Sequence, residues 1–228
     1  MSFAERLRSH GFAIVEGVLD EDSIAKYIHL LEDNTNSGMR RGGRRNLLAL
    51  TEMKQLAQSP SLMALVRPIL GQDVFVVRGI LFDKQEGANW KVPWHQDVTI
   101  AVKDRVEAEG YGPWSTKEDI VHVQPPKAVL EQMVSVRLHL DDCCASNGAL
   151  RVIPGSHLKG RLDQNVVSTV VGSQSGVVCE VGKGGALLMK PLTIHASSMA
   201  LEPPHRRVIH FDYAATDLES GLEWFERS

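Results

Sequence analysis

The 228-residue sequence predicts a mainly β protein: a double-stranded β-helix (jelly roll, cupin-like) core under a helical N-terminal layer. Three observations carry that expectation. The first third of the chain repeats apolar residues at helical spacing. From Val74 onward the texture changes to short β-branched runs broken by Gly and Pro. Most of those runs follow one another with no helical pattern between them, which favours an antiparallel sandwich or barrel over alternating β and α units.

In chain order, Ser23 to Leu31 puts Ile24, Ile28 and Leu31 on one helical face behind the candidate caps Asp20 and Asp22. Leu47, Leu50, Met53 and Leu56 mark a second helix. A third is predicted over Pro60–Leu70, with Ser59 at the N-cap, Pro60 at the first helical position, Gly71 just past the end and Pro68 weakening the last turn. The expected strands are Val74–Asp83, Val129–Asp141, Ala149–Ile153, Val177–Val181, Ala186–Met189 and Arg207–Tyr213, with shorter pieces around Trp94–Thr99 and Leu192–Ala196. Two segments read as loops: 39–46, with four arginines around a Gly pair, and 103–127, polar and rich in Gly and Pro. A connection as long as the second is a candidate lid. No linker divides the chain, so one domain is expected over 1–228, with 1–72 as the helical layer and 73–214 as the jelly-roll core.

Composition narrows the function classes. A net charge of -3 and a pI near 6.3 give no global basic field for nucleic acid or anionic membrane. Three cysteines, two of them the adjacent Cys143 and Cys144, make neither a disulfide framework nor a CxxC pair. The N-terminal residues MSFAERLRSHGF carry charge where a signal peptide needs an apolar run, and no stretch is long enough to span a bilayer. A cytoplasmic location is the expectation.

Chemistry concentrates at His95-Gln96-Asp97. On a strand, residues two apart share a face, so this imidazole and carboxylate converge and supply two ligands of a 2-His-1-carboxylate triad. Such a triad leaves positions open for a chelating cosubstrate and O2. The third ligand must be a distant histidine brought in by barrel closure, and His195, after the apolar run Ala186–Met189, fits best. Arg206 follows at the head of the last strand, where a guanidinium fork suits the far carboxylate of a chelated keto acid. Its neighbour Arg207 alternates with Ile209, Phe211 and Tyr213, whereas Arg206 shares the more polar row of Val208, His210 and Asp212, the row expected to face the site.

These residues resemble the phytanoyl-CoA dioxygenase-like family of iron(II)/2-oxoglutarate oxygenases. The likeness rests on W-H-Q-D at 94–97, on N-G-A-L-R-V-I-P-G-S-H at 147–157, and on His195 with Arg206 eleven positions later, covering about Val74 to Tyr213. It implies that His95, Asp97 and His195 hold the iron and that Arg206 anchors 2-oxoglutarate. It further implies that the Ser197 hydroxyl assists that anchor and that Arg137 contacts the cosubstrate. The implied cofactors are Fe(II), 2-oxoglutarate and O2, and the implied reaction is hydroxylation of a small organic molecule with release of succinate and CO2. Related halogenases lack the carboxylate, so Asp97 favours hydroxylation or a related oxidation. Relatives act on amino acids, alkaloids, polyketides and antibiotics as well as thioesters, so no CoA substrate is carried over.

Other features have blander readings. Arg137 and His139 share a face opposite an apolar row, which is either solvent-exposed or the site interior. His157, in Pro-Gly-Ser-His, reads as turn support, and Cys143 and Cys144 as small residues near a strand end. The arginines at 40, 41, 44 and 45 suit a solvated loop, or else an anionic substrate. Tyr111 and Trp114 either close over a substrate or pack on the body, and Lys84 and Trp90 are candidate pocket residues. Two rivals to the oxygenase remain: a non-catalytic metal-binding jelly roll, and a metal-dependent hydrolase or isomerase on the same fold. Oligomeric state is not readable from the sequence.

Overall fold

The computed structural model describes residues 1–34, 43–201 and 205–228. Arg40 and Arg41 lie outside the described residues. Helix α1 (Phe3–His10) begins in a capping box, with the Glu5 N–H donating to Ser2 Oγ and the Ser2 N–H to the Glu5 carboxylate. The helical reading missed this element. Gly11, at φ 83°, turns the chain into strand β1 (Phe12–Val15). Helix α2 (Glu21–Asp33) is capped by Asp20, which accepts from the Ser23 N–H at 2.8 Å. A 3-10 turn over Leu47–Ala49 leads into α3 (Thr51–Ala57). Helix α4 (Pro60–Leu70) has Ser59 capping Leu62, Pro60 in its first turn and Gly71 at φ 98° past its end.

The remaining elements are strands β2 (Phe75–Lys84), β3 (Val92–His95), β4 (Ile100–Val102), β5 (Trp114–Lys117) and β6 (Ile120–Val123), helix α5 (Lys127–Glu131), strands β7 (Met133–His139) and β8 (Leu150–Val152), helix α6 (Gln164–Ser173), and strands β9 (Val177–Cys179), β10 (Ala186–Met189), β11 (His195–Ser197) and β12 (Arg206–Ala214). A five-stranded antiparallel sheet, ordered β1-β10-β7-β12-β2, faces a four-stranded one, ordered β3-β11-β8-β9. The jelly-roll expectation holds. On β7 and β12, alternation sends Val134, Val136, Leu138, Ile209 and Phe211 outward onto Ile24 and Leu31 of α2 and Met53, Leu56, Leu62 and Val66 of α3 and α4. The helical layer therefore seals the outer face of the large sheet. Between the sheets, Leu150, Val152, Cys179, Leu187 and Met189 form an apolar plug.

Several expected spans differ, and three of these bear on the site. The strand drawn from Val129 starts at Met133, because Lys127–Glu131 forms a short helix behind Pro126. The strand drawn over Trp94–Thr99 ends at His95, so Asp97 lies just beyond it, with its N–H on the Pro191 carbonyl at 2.9 Å. The loop 103–127 carries the hairpin β5–β6, which joins β4 in a three-stranded sheet packed on Leu222 and Trp224. Its turn residues Glu118 and Asp119 both have positive φ (50° and 62°) without a glycine. The two-residue I′ turn is thus built from residues that give no glycine signal.

Candidate functional site

The register of two short strands assembles the centre. Strand β11 pairs with β3 so that His195 lies opposite His95, and the imidazole centroids are 4.3 Å apart. Each ring is oriented in the same way: His95 Nδ1 lies 2.8 Å from the Pro93 carbonyl and His195 Nδ1 2.9 Å from that of Thr193. With Nδ1–H donating to a carbonyl, both rings carry their lone pair on Nε2. Those atoms lie 3.5 Å and 3.6 Å from the two oxygens of Asp97, and the three ligand atoms fall within 4.8 Å of one another. Burial works against charge on Asp97, yet His195, His95 and Arg137 outweigh it and hold the carboxyl well below the usual range. Burial also pushes His195 down to about 3, against the pull of Asp97. The cluster thus presents a carboxylate and a neutral, fully buried His195, while at His95 the hydrogen bond and charge of Asp97 outweigh burial and raise the ring's proton affinity, so a metal would displace a proton there.

The residue between the ligands has a different task. Gln96 points away from them and is 6% exposed. Its amide donates to the Gly160 and Leu192 carbonyls at 2.8 and 2.7 Å, and its oxygen accepts from the Leu162 N–H at 2.8 Å. It ties the ligand segment to the chain on both sides.

A cationic pocket opens beside the triad. Arg206, 6% exposed, donates through Nη1 to the Gly148 carbonyl at 3.1 Å, while its Nε has no partner among the described residues. Opposite it in the β12–β2 register stands Lys84, whose Nζ donates to Ser197 Oγ at 2.6 Å and to the Ser198 carbonyl. Ser197 Oγ in turn donates to the Gly148 carbonyl at 2.9 Å. Burial and the nearby Arg206 bring the Lys84 ammonium down to about 8. Two buried cations side by side without a carboxylate among the described residues form an anion site. Gly148 lets them approach: it has φ 82°, and a Cβ there would lie 2.6 Å from the Ser198 carbonyl and 2.9 Å from Lys84 Nζ.

Arg137 and His139 of β7 face this cavity, not solvent. Arg137 Nη2 lies 3.5 Å from Asp97, and its Nε has no partner among the described residues. Both ring nitrogens of His139 lack one too, and burial with Arg206 and Arg137 pushes that ring down to about 3. His157 is elsewhere, in a 3-10 turn over Ser156–Lys159, its Nε2 3.1 Å from the Arg8 carbonyl, so the ring ties that turn to helix α1. Arg207 faces outward to Asp141 and Glu32.

A family described as phytanoyl-CoA dioxygenase matches residues 7–208. The chain belongs to that family. Its members are iron(II)/2-oxoglutarate-dependent oxygenases. An L-proline trans-4-hydroxylase from Streptomyces griseoviridis is 27% identical, over 70% of this chain and 61% of that protein. The chain thus spans about 61% of the length of the curated relative it matches. Among solved structures, the non-heme alpha ketoglutarate dependent epimerase SnoN from nogalamycin biosynthesis superposes with a TM-score of 0.71 at 18% identity, over 93% of this chain and 79% of that one. EctD from S. alaskensis, solved with bound Fe, gives 0.71 at 20% identity, over 95% and 78%. These likenesses place this phytanoyl-CoA dioxygenase family member on the jelly-roll fold of Fe/2-oxoglutarate oxygenases. No helix among the described residues is long and apolar enough to cross a membrane.

Sequence reasoning named Lys84 only as a pocket candidate and did not foresee its bond to Ser197. The available signal was alternation: Arg78, Ile80, Phe82 and Lys84 form one row of β2, and that row lines the cavity. Gln96 carried no usable signal, because its three partners come from segments distant in sequence.

Proposed function

We propose that the chain is an iron(II)/2-oxoglutarate-dependent hydroxylase of a small organic molecule, a single oxygenase domain in which 103–127 forms one wall of the substrate space. The observation that carries this reading is one cavity holding both the His95–Asp97–His195 cluster and the cations Arg206 and Lys84, which have no carboxylate partner among the described residues. A hydrolase or a plain metal-binding protein has no use for the second feature beside the first. The unfilled donors of Arg206 and Arg137 and the bare His139 ring also fit a bound polar ligand.

In this reading His95 Nε2, His195 Nε2 and an Asp97 oxygen hold the iron. When bound, iron and keto acid together supply the oxidative chemistry on O2, with release of succinate and CO2. The chain's own residues position and insulate. The Pro93 and Thr193 carbonyls fix the two imidazoles, and Gln96 fixes the backbone between His95 and Asp97. Arg206 and Lys84 hold the distal carboxylate, with Ser197 relaying between Lys84 and the Gly148 carbonyl. Arg137, against Asp97, balances the charge of that ligand and faces the cosubstrate.

Relatives in the same fold include an epimerase and a carbocyclase, so the oxidative outcome is the part to test. Purified enzyme with Fe(II), 2-oxoglutarate and a panel of free L-amino acids, L-proline among them, is assayed for succinate and for product mass. Succinate formation with a product one oxygen heavier is expected. A product of unchanged mass, or one lighter by two hydrogens, replaces hydroxylation with epimerisation or ring closure. No binding of 2-oxoglutarate to the Fe(II)-loaded protein contradicts the oxygenase reading itself.

A further inference from the structure

The cavity is far more basic than the protein around it. Among the described residues, six Lys and Arg line it but only one carboxylate, Asp97. In a chain of net charge -3, that concentrates positive potential inside one concave, low-dielectric space. The six are not clustered together. Arg78 and Lys84 share the cavity row of β2 but are six residues apart, about 20 Å at ~3.3 Å per residue. Lys84 and Arg206 form the end proposed to take the keto acid. Arg78 stands at the other end, where the β5–β6 hairpin adds Lys117 and His122 on its cavity face and the segment just before the Leu47–Ala49 turn adds Arg45.

The counter-charges at that far end are accounted for. Arg78 is paired with buried Asp212 at 2.5 Å, and Arg45 with Glu118 at 2.7 Å. Glu226, close to Arg78, is occupied by the backbone N–H groups of Leu48 and Gly79. Asp212 also accepts from Ser135 Oγ at 2.7 Å and from His210 Nε2 at 2.9 Å, which leaves His210 Nδ1 buried without a partner among the described residues. Lys117 makes only a 3.4 Å contact with Thr99 Oγ1 and no ion pair among the described residues. The distal carboxylate of the keto acid would offset one of the two charges on Arg206 and Lys84, while its chelating carboxylate and Asp97 would balance a divalent metal. Lys117 then remains without a negative partner among the described residues, and Arg137 has only Asp97 at 3.5 Å, itself a metal ligand in this reading; the unpaired guanidinium nitrogens of Arg78 and Arg45 flank them.

We infer that the primary substrate is a small organic oxyanion, a carboxylate or a phosphate, whose acid group is held at this far end by Lys117, Arg78 and Arg45. This rests on the oxygenase reading for the assignment of the opposite end to the keto acid. Anchored there, the substrate's acid group lies on the side of Asp97 away from Arg206, and its carbon skeleton reaches back toward the metal ligands. The same charges exclude cationic and disfavour neutral molecules, so the far end selects substrate class and the apolar lining by Ile80, Phe82 and Val92 fits the skeleton.

The test titrates the protein loaded with Zn(II), a redox-inert stand-in, first with 2-oxoglutarate and then with acetate or inorganic phosphate, by calorimetry. One equivalent of keto acid and then one of the oxyanion are expected; whichever anion binds tighter names the acid. Lys117→Gln should weaken the second event at least tenfold and leave the first unchanged, because a lost charged hydrogen bond contributes ~1.5–3 kcal/mol. Lys103→Gln, at an exposed pair with Glu223, controls for net charge and should change neither. Absence of a second equivalent, or a second event indifferent to Lys117→Gln, overturns the inference. So does turnover driven as well by amino-acid carboxamides as by the free acids. If the keto acid itself fails to bind, the oxygenase reading fails instead, and phosphate titrated alone still reports whether the far end takes an anion.

Discussion

At Gly148, one backbone position decides whether two cations can share a ligand. Its positive φ and the short distance a Cβ would make to the Ser198 carbonyl mean that Gly148→Ala both strains the turn, by ~1–2 kcal/mol, and pushes Lys84 aside. The variant should lose at least tenfold in 2-oxoglutarate affinity while its metal affinity stays within a factor of two, read by separate titrations. Lys84 also sets a pH limit. Its free-protein value of about 8 is depressed by burial and Arg206, and a bound carboxylate restores the charged form. Keto-acid affinity should therefore be flat below pH 8, fall as pH rises through that value, and lose the dependence in Lys84→Met. At this scale the sequence was legible where chemistry follows spacing: His95 with Asp97, and Arg206 on the polar row of its strand. It was silent about Gln96 and the Lys84–Ser197 bond, whose partners meet only after folding.

The element that organises the centre is the β3–β11 pair, only a few residues long, with Gln96 pinning its end. Gln96→Ala leaves the Gly160 and Leu192 carbonyls and the Leu162 N–H without their partner. Losing these buried bonds should cost about 3 kcal/mol and lower Tm by roughly 6–12 °C, with metal affinity falling as Asp97 loosens. A Tm unchanged within a degree or two would show that water replaces the amide at no cost. Elements with strong local signals were readable: Ser59, Pro60 and Gly71 bound α4, and Ala186–Met189 is β10 to the residue. Elements without them were not. Helix α6 is built from Val167, Val170 and Val171, whose branching reads as strand, and the β5–β6 turn uses Glu118 and Asp119 where a glycine was the cue. Asp97 reaches the site from beyond the strand end, so same-face alternation led to the right residue from a strand drawn too long.

Across the whole molecule, the two sheets divide the labour. The large sheet takes its rigidity from the helical layer on its outer face and contributes cations from its inner one, while the small sheet supplies both histidines. Antiparallel texture and the helical start of the chain made that architecture readable. The polar interior was readable on β12, where the row of Arg206, His210 and Asp212 was expected to face the site, but not on β7, because a row such as Ser135, Arg137 and His139 looks the same facing water or facing a cavity. Because the ligands bind the folded state alone, metal and 2-oxoglutarate, each at about one hundred times Kd, should contribute ~2.7 kcal/mol apiece, ~5.4 kcal/mol together, and raise Tm by roughly 11–22 °C, reversibly on adding a chelator. No shift in thermal unfolding would show that neither ligand uses the native cavity. The most direct test of the central claim, that one cavity holds a metal at His95–Asp97–His195 and a keto acid at Arg206, is an anaerobic titration of the metal-free protein with Fe(II) and then 2-oxoglutarate, following the visible charge-transfer band of a chelated keto acid. The account predicts a saturable band, absent in His95→Ala and shifted to much higher 2-oxoglutarate concentration in Arg206→Ala. Metal binding with no band, or a band unchanged by both substitutions, would contradict it.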